Sequence, residues 1–497
     1  VQAIGRQPQR APDGAPVHYD RHGPEQTTLC RLVQQHAATF FAQAEDAAGA
    51  DLPQFVKDEF DAFLECGILA HGFLRLHCAD CGHDKLVAFS CKRRGFCPSC
   101  GARRMAQTAA HLVDHVIPHV PVRQWVLSLP IPLRLLLAAQ PKLVTPVLQV
   151  VHRVITRHLL GLAGLKPDEA DSGAVTLIQR FGSAANLNIH LHCLVLDGVY
   201  RRSADAVPEF VEVPAPTDEA LQSVLHKIIT RTMKLLTRRG VLVEEEGSTY
   251  MADNDGDSDE ACTLRPLHAA ACTYRIAFGP RAGQKVLTVQ GVMPRDADFK
   301  QTLCADSHGF SLHAAVRCGA DDRQALEQLC RYITRPALAN ERVQTNAAGQ
   351  VVLKLKTPWR DGTTHLVMSP LEFMQRLAAL VPRPRLHLIR FHGVLAPNAK
   401  LRALVVPQEP EAPAQETKPA ECEANCAHHR PVRLSWAKLL KRVFDLDLEH
   451  GPNCGGELKI IAAILEAPVI EKILTHLGLQ ARAPPRAPAR GQALQAA

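Results

Sequence analysis

Asn188-Ile189-His190-Leu191-His192-Cys193-Leu194 is the stretch on which the reading of this chain turns. Polar and apolar residues alternate along it, so it reads as a strand, and on a strand residues i and i+2 project from one face. His190 and His192 can therefore share a metal ion, while Leu191, Cys193 and Val195 point the other way into a core. Upstream, Ala174–Arg180 is a second strand-like run, and the small-residue turn Phe181-Gly182-Ser183-Ala184-Ala185 joins the two as a hairpin. A turn centred on Ser183–Ala185 sets Gln179 nearly opposite His190, where its amide oxygen is a natural third ligand. Glu327 is the competing third ligand.

Glu327 belongs to the run Leu326-Glu327-Gln328-Leu329-Cys330-Arg331-Tyr332-Ile333-Thr334-Arg335-Pro336. The spacing predicts a helix over 321–334, opened by Asp321 and Asp322 and ended before Pro336, with Leu326, Leu329 and Ile333 as its buried stripe. Tyr332 sits beside that stripe near the helix end. The flanking Arg331 and Arg335 can grip phosphate oxygens, and with five tyrosines in the chain the list of candidate nucleophiles is short.

The cysteines carry a second signal. Cys78-x-x-Cys81 and Cys97-x-x-Cys100 are separated by fifteen residues, a spacing that lets four thiolates close a tetrahedron around one Zn²⁺. Gly82 and Gly101 follow the second cysteine of each pair, where a tight knuckle calls for positive φ. Cys91 and His83 are spare donors that could replace one ligand. Lys92, Arg93, Arg94, Arg103 and Arg104 surround the knuckle with cations suited to phosphate contact.

Outward from these motifs, 497 residues with 46% hydrophobic content allow two to four domains. A formal charge of +7 permits a nucleic-acid partner without demanding one. Sixteen cysteines, several in metal spacings and with no apolar leader, read as a reducing cytoplasm rather than a disulfide framework. No run approaches the roughly 18 uninterrupted apolar residues of a membrane span, and no Gly-x-x-x-x-Gly-Lys-Ser/Thr loop for a nucleotide is present. Residues 1–28 read as a poorly ordered arm and 29–121 as a helical, zinc-ribbon-like DNA-recognition domain. Residues 122–403 form the metal-and-tyrosine domain: a strand over Val122–Leu129, one long helix over 131–162, the hairpin, and a helix from Thr217 or Asp218 to Arg239. An acidic loop spans 253–260, a proline-rich linker 404–431, and a C-terminal region 432–497.

The motifs Cys97-Pro98-Ser99-Cys100-Gly101-Ala102-Arg103-Arg104, Gln179-Arg180-Phe181-Gly182-Ser183, Asn186-Leu187-Asn188-Ile189-His190-Leu191-His192, Asp306-Ser307-His308-Gly309-Phe310-Ser311-Leu312-His313 and Cys330-Arg331-Tyr332-Ile333-Thr334-Arg335-Pro336 occur in this order. Together they resemble the rolling-circle transposases of bacterial insertion sequences, a family joining an N-terminal zinc-binding domain to a His-hydrophobic-His nuclease, and the resemblance covers about residues 30–400. The better-studied branch has two tyrosines four positions apart. Here positions 328 and 336 are Gln and Pro, so the chain resembles the single-tyrosine branch.

The resemblance implies an α+β fold with a central antiparallel sheet flanked by helices, the histidines on a central strand and the tyrosine on a helix nearby. It implies that Tyr332 attacks single-stranded DNA at element ends to give a 5′-phosphotyrosine, with Mg²⁺ or Mn²⁺ at the histidines and a structural Zn²⁺ at the cysteines. DNA, both ends and target, is then the partner, and assembly into oligomers is compatible with it. A plasmid replication initiator or relaxase has the same chemistry, and a zinc-dependent DNA-binding protein with an inactive nuclease half is the rival of another class. His450-Gly451-Pro452-Asn453-Cys454-Gly455-Gly456 looks like a Cys-Pro-x-Cys-Gly-Gly knuckle whose first cysteine is Gly451, and no second zinc is assigned to it.

Overall fold

The computed structural model describes residues 23–202, 207–245, 248–252, 259–291, 302–407, 436–444, 447–451 and 453–490. Residues 1–22 of the expected arm, 253–258 of the acidic loop, 408–431 of the linker and 491–497 of the tail lie outside the described residues.

The fold is α+β. Its centre is a seven-stranded sheet running Cys304–Ser307, Phe310–His313, Val122–Ser128, Leu187–Leu196, Gly173–Phe181, Ile389–Gly393, with Arg317–Cys318 also paired to Val122–Ser128. Every pairing in it is antiparallel. The histidine strand lies in the interior of the sheet, between Val122–Ser128 and Gly173–Phe181. Both faces are covered, which places an apolar residue at nearly every inward position on either side. On one face Val122, Val175, Leu177, Leu194 and Leu196 pack with Leu112 and Val113 of helix Pro98–His115 and with Leu326, Cys330 and Ile333 of helix Arg323–Thr334. On the other, Trp125, Leu127, Ile178, Ile189, Leu191, Cys193 and Val195 join a larger core that includes helix Val144–Leu162. Each leucine or isoleucine so buried contributes about 1.5–3 kcal/mol.

The expected helix over 131–162 is two helices, Ile131–Ala139 and Val144–Leu162, with the chain bent by 107° between them. Pro141 lies at the break, where its missing N–H and its ring prevent the first helix from running on. Thr217 accepts from the Ala220 amide to cap helix Asp218–Arg238, and Gly240 beyond its end has φ +66°. Among the described residues, no single helix is long and apolar enough to cross a membrane.

Upstream of the sheet, helices Thr28–Ala48 and Gln54–Glu65 precede a hairpin of Phe73–Cys78 and Asp84–Ala88. The hairpin's free edge is taken by Leu458–Ile464 from the far end of the chain. The C-terminal region is thus part of the N-terminal sheet, a pairing that local sequence gives no hint of.

Candidate functional site

His190 and His192 project from the same face of their strand, as the i, i+2 spacing requires, with ring centroids 4.8 Å apart. Burial pushes His190 down to about 4 and His192 well below the ordinary histidine range, and the Arg335 charge adds to both shifts. Both rings are therefore neutral near pH 7, the form that ligates metals. His190 Nδ1 donates to its own strand's Asn188 carbonyl at 2.9 Å, leaving Nε2 with the lone pair. His192 Nδ1 lies 2.8 Å from the Gln124 amide, and His192 Nε2 is buried without a hydrogen-bond partner. As placed, the Gln124 amide nitrogen donates to Nδ1 and the ring proton sits on Nε2; a half-turn of the amide would bring its oxygen to Nδ1 and free Nε2 as a ligand. Gln124 was not foreseen from the sequence. Its signal was available, since it lies two residues past the start of a strand that neighbours the histidine strand.

Gln179 is the Cα partner of His190, the pairing that the turn length predicted. Its amide nitrogen donates to the Ile333 carbonyl at 2.6 Å, so the side chain links the histidine strand to the last turn of the tyrosine helix. The amide oxygen remains for a further partner. Glu327 is not brought to the histidines. Its carboxylate receives Arg442 of helix Trp436–Phe444 at 2.7 Å, and Arg331 approaches it at 3.9 Å, so its negative charge is already balanced. That removes Glu327 as the competing third ligand and engages Arg331 in an ion pair within its own helix.

Tyr332 is half-buried, one residue before the carbonyl that Gln179 holds. Two cations flank its ring, the Arg335 guanidinium 4.5 Å and Lys356 Nζ 4.1 Å from the centroid. Lys356, which the sequence did not single out, is lowered to about 8 by burial and by the charges of Arg335 and Arg342. Arg335 also donates to the Tyr332 carbonyl at 2.7 Å and so closes the helix end.

The cysteines are regrouped relative to the expectation. Cys97 and Cys100 meet Cys66 and Cys91, while Cys78 and Cys81 meet Cys454. The four-ligand set Cys78, Cys81, Cys97 and Cys100 is therefore corrected, because strand pairing carries the first pair away from the second; the spare donor Cys91 is in the cluster and His83 is not. In the larger group the sulfurs are 3.3–3.7 Å apart for Cys91–Cys100, Cys66–Cys100 and Cys66–Cys97. Thiolates about 2.3 Å from a tetrahedral Zn²⁺ sit about 3.8 Å apart, so these residues fit the ion. Hydrogen bonds from Cys66, Cys91 and Cys97 hold the Cys100 thiol far below its ordinary value, giving a thiolate to begin with.

The glycines divide as well. Gly82 has φ +71°, as a knuckle needs, whereas Gly101 lies inside helix Pro98–His115. A Cβ on Gly101 would stand 2.6 Å from Pro336 Cβ, so glycine there permits the zinc-side helix to lie against the end of the tyrosine helix. Arg104 donates to the Lys92 and Arg93 carbonyls at 3.0 and 3.1 Å, and Arg94 donates to the Leu386 carbonyl at 2.6 Å. Both are fastened to backbone and shape the loop. Arg93 is the more open, 3.9 Å from Asp58. Arg93, Arg94, Arg104, Arg180 and Arg335, with no acidic residue among the lining, surround a cavity of about 120 Å³ that also touches Gln179, Ile333 and Pro336. Arg180 is buried with its Nε lacking a hydrogen-bond partner, and burial lowers it to about 10. Asp58 and the buried Glu59 offset part of this charge from outside the lining, and a cavity lined by five arginines still suits an anion.

Residues 173–402 match a family model described as "Putative transposase", and residues 32–129 match one described as "Transposase zinc-binding domain". The two matches support a transposase function. They suggest an enzyme acting on DNA, and the transposase zinc-binding match spans Cys66, Cys91, Cys97 and Cys100, which supports a structural zinc ion at that cluster. The transposase match spans Gln179, His190, His192 and Tyr332. Searches of curated proteins and of solved structures returned no match.

Proposed function

We propose that this transposase nicks single-stranded DNA at element ends through a 5′-phosphotyrosine on Tyr332 and rejoins it to a target, in the manner of rolling-circle transposition with a single tyrosine. The observation that carries the reading is the Gln179 bond to Ile333, which ties the strand of His190 and His192 to the helix end that bears Tyr332. A divalent cation, Mn²⁺ on ligand preference or Mg²⁺ on abundance, held by His190, His192 and the Gln179 oxygen, would supply charge withdrawal from the scissile phosphate.

The chain's own residues do the rest. Arg335 and Lys356, both close to the Tyr332 ring, hold phosphate oxygens and balance negative charge as it builds. Tyr332 loses its phenolic proton, its oxygen bonds to phosphorus, and the departing 3′ oxygen takes up a proton to become a free hydroxyl. The phosphodiester energy is kept in the covalent link, so rejoining requires no nucleotide cofactor. The arginine-lined cavity, which reaches from Gly101 and Arg104 of the zinc-side helix to Ile333 and Arg335 beside Tyr332, offers a place for a backbone phosphate of the strand. A cytoplasmic site of action goes with this reading.

Incubating the full chain with labelled single-stranded end oligonucleotides and Mn²⁺ tests it. A denaturation-resistant protein–DNA adduct is expected for the wild type and its loss, by at least about 10³-fold, for Tyr332→Phe, with oligonucleotide binding held within a few-fold. An adduct at wild-type level in Tyr332→Phe removes Tyr332 from the role, and adduct formation without joining to a second strand favours a replication initiator or relaxase.

A further inference from the structure

We propose that Cys78, Cys81 and Cys454 form a second zinc site, which staples the C-terminal segment to the N-terminal module. The three sulfurs all lie within 4.8 Å of one another, and Cys78 Sγ is 3.5 Å from Cys454 Sγ, close to the edge of a zinc–thiolate tetrahedron. They come from two turns of the same build. In Cys78-Ala79-Asp80-Cys81-Gly82 the Gly82 amide donates to the Cys78 carbonyl at 2.9 Å, and in Gly451-Pro452-Asn453-Cys454-Gly455 the Gly455 amide donates to the Gly451 carbonyl at 3.0 Å. Gly82 and Gly455 share a φ of +71°, a conformation that a residue with a Cβ rarely adopts. The Gly456 amide donates to Cys454 Sγ at 3.3 Å, so the second knuckle's backbone is folded around its sulfur.

The strands that carry these turns pair with one another. Cys78 at the end of Phe73–Cys78 is the Cα partner of Leu458 at the start of Leu458–Ile464, so the two knuckles face each other across the ribbon. Gly451 stands where the second knuckle's first ligand belongs, and a Cβ placed there would be 3.6 Å from Cys78 Sγ. The fourth coordination position therefore faces Gly451 and is left to water. A three-thiolate site of this kind holds zinc less firmly than the closed cluster of Cys66, Cys91, Cys97 and Cys100.

The staple has a mechanical consequence. The same C-terminal segment contains helix Trp436–Phe444, whose Arg442 reaches Glu327 on the tyrosine helix at 2.7 Å and also pairs with Asp114 on the zinc-side helix. Fixing Cys454 keeps that arginine at the junction of the two helices.

The test is metal content and protease protection of the full chain purified under reducing conditions. Two zinc ions per chain are expected for the wild type and one for Cys454→Ser, with the segment beyond residue 436 cleaved at least about tenfold faster in the variant. Gly451→Cys supplies the absent sulfur and should keep two ions, the second leaving to a chelator at least about tenfold more slowly than in the wild type. A single zinc in the wild type, an unchanged count in Cys454→Ser, or a Cys78–Cys454 disulfide in the reduced protein would overturn the proposal.

Discussion

The four-cysteine cluster and the two-histidine site are both arrangements of metal donors, and they are built on opposite plans. At the cluster, Cys66, Cys97 and Cys100 are buried, Cys91 is partly so, and the four sulfurs complete a tetrahedron among themselves. At the histidines, on the proposed reading, two neutral rings and one amide would supply fewer donors than a metal accepts, and the helix end tied to their strand by Gln179 carries a half-buried tyrosine with two cations near its ring. A complete ligand set leaves nowhere for substrate and serves to hold structure; an incomplete one leaves positions for a phosphate oxygen. The comparison teaches that, on the proposed reading, donor count and the surroundings, more than donor identity, separate a structural ion from a working one.

The largest effect that can break this contrast is expected at the cluster. Cys100→Ala removes one of four thiolates, and because structural zinc is worth on the order of 10 kcal/mol to a small module, the surroundings of helices Gln54–Glu65 and Pro98–His115 should lose most of their hydrogen-exchange protection. Mn²⁺ binding at the histidines should survive in whatever fraction remains folded. If exchange protection of both helices were unchanged, the cluster would not be the structural centre.

A smaller effect is expected from Gln124→Leu. It leaves both histidines in place but removes the partner that orients His192, so calorimetry should show Mn²⁺ affinity about 10–100-fold weaker while tightly held zinc stays at the wild-type count. Unchanged Mn²⁺ affinity would mean that the ion does not use His192 Nε2.

The smallest effect distinguishes two arginines that the sequence presents as equals. Arg93→Ala should lower the salt dependence of single-strand binding by about one unit and leave the fold intact. Arg104→Ala should instead lower thermal stability, since its guanidinium holds the Lys92 and Arg93 carbonyls, with a loss of about 1–3 kcal/mol for hydrogen bonds to a charged group. Equal salt slopes and equal stabilities for the two variants would erase the distinction.

Much of the histidine hairpin is legible in the sequence because its determinants are local. The i, i+2 period placed both histidines on one face, the small-residue turn set Gln179 opposite His190, and Asp322 caps the helix that ends before Pro336, as its side chain accepting from the Ala325 amide shows. Gly101 was misread because a glycine after a cysteine has two physical uses, and only the approach of Pro336 tells which one applies. Glu327 was a plausible ligand only while its partner, 115 residues away, was out of view.

By itself, then, the sequence determined the histidine hairpin and its turn, the caps at Thr217 and Asp322, and the residue types available for metal and phosphate chemistry, all of which depend on neighbours within a few positions. Tertiary structure alone decided which cysteines share an ion. Cys78 and Cys454 are 376 residues apart and meet through a strand pairing, and such a pairing is selected by the burial and hydrogen bonding of the whole fold rather than by any spacing along the chain.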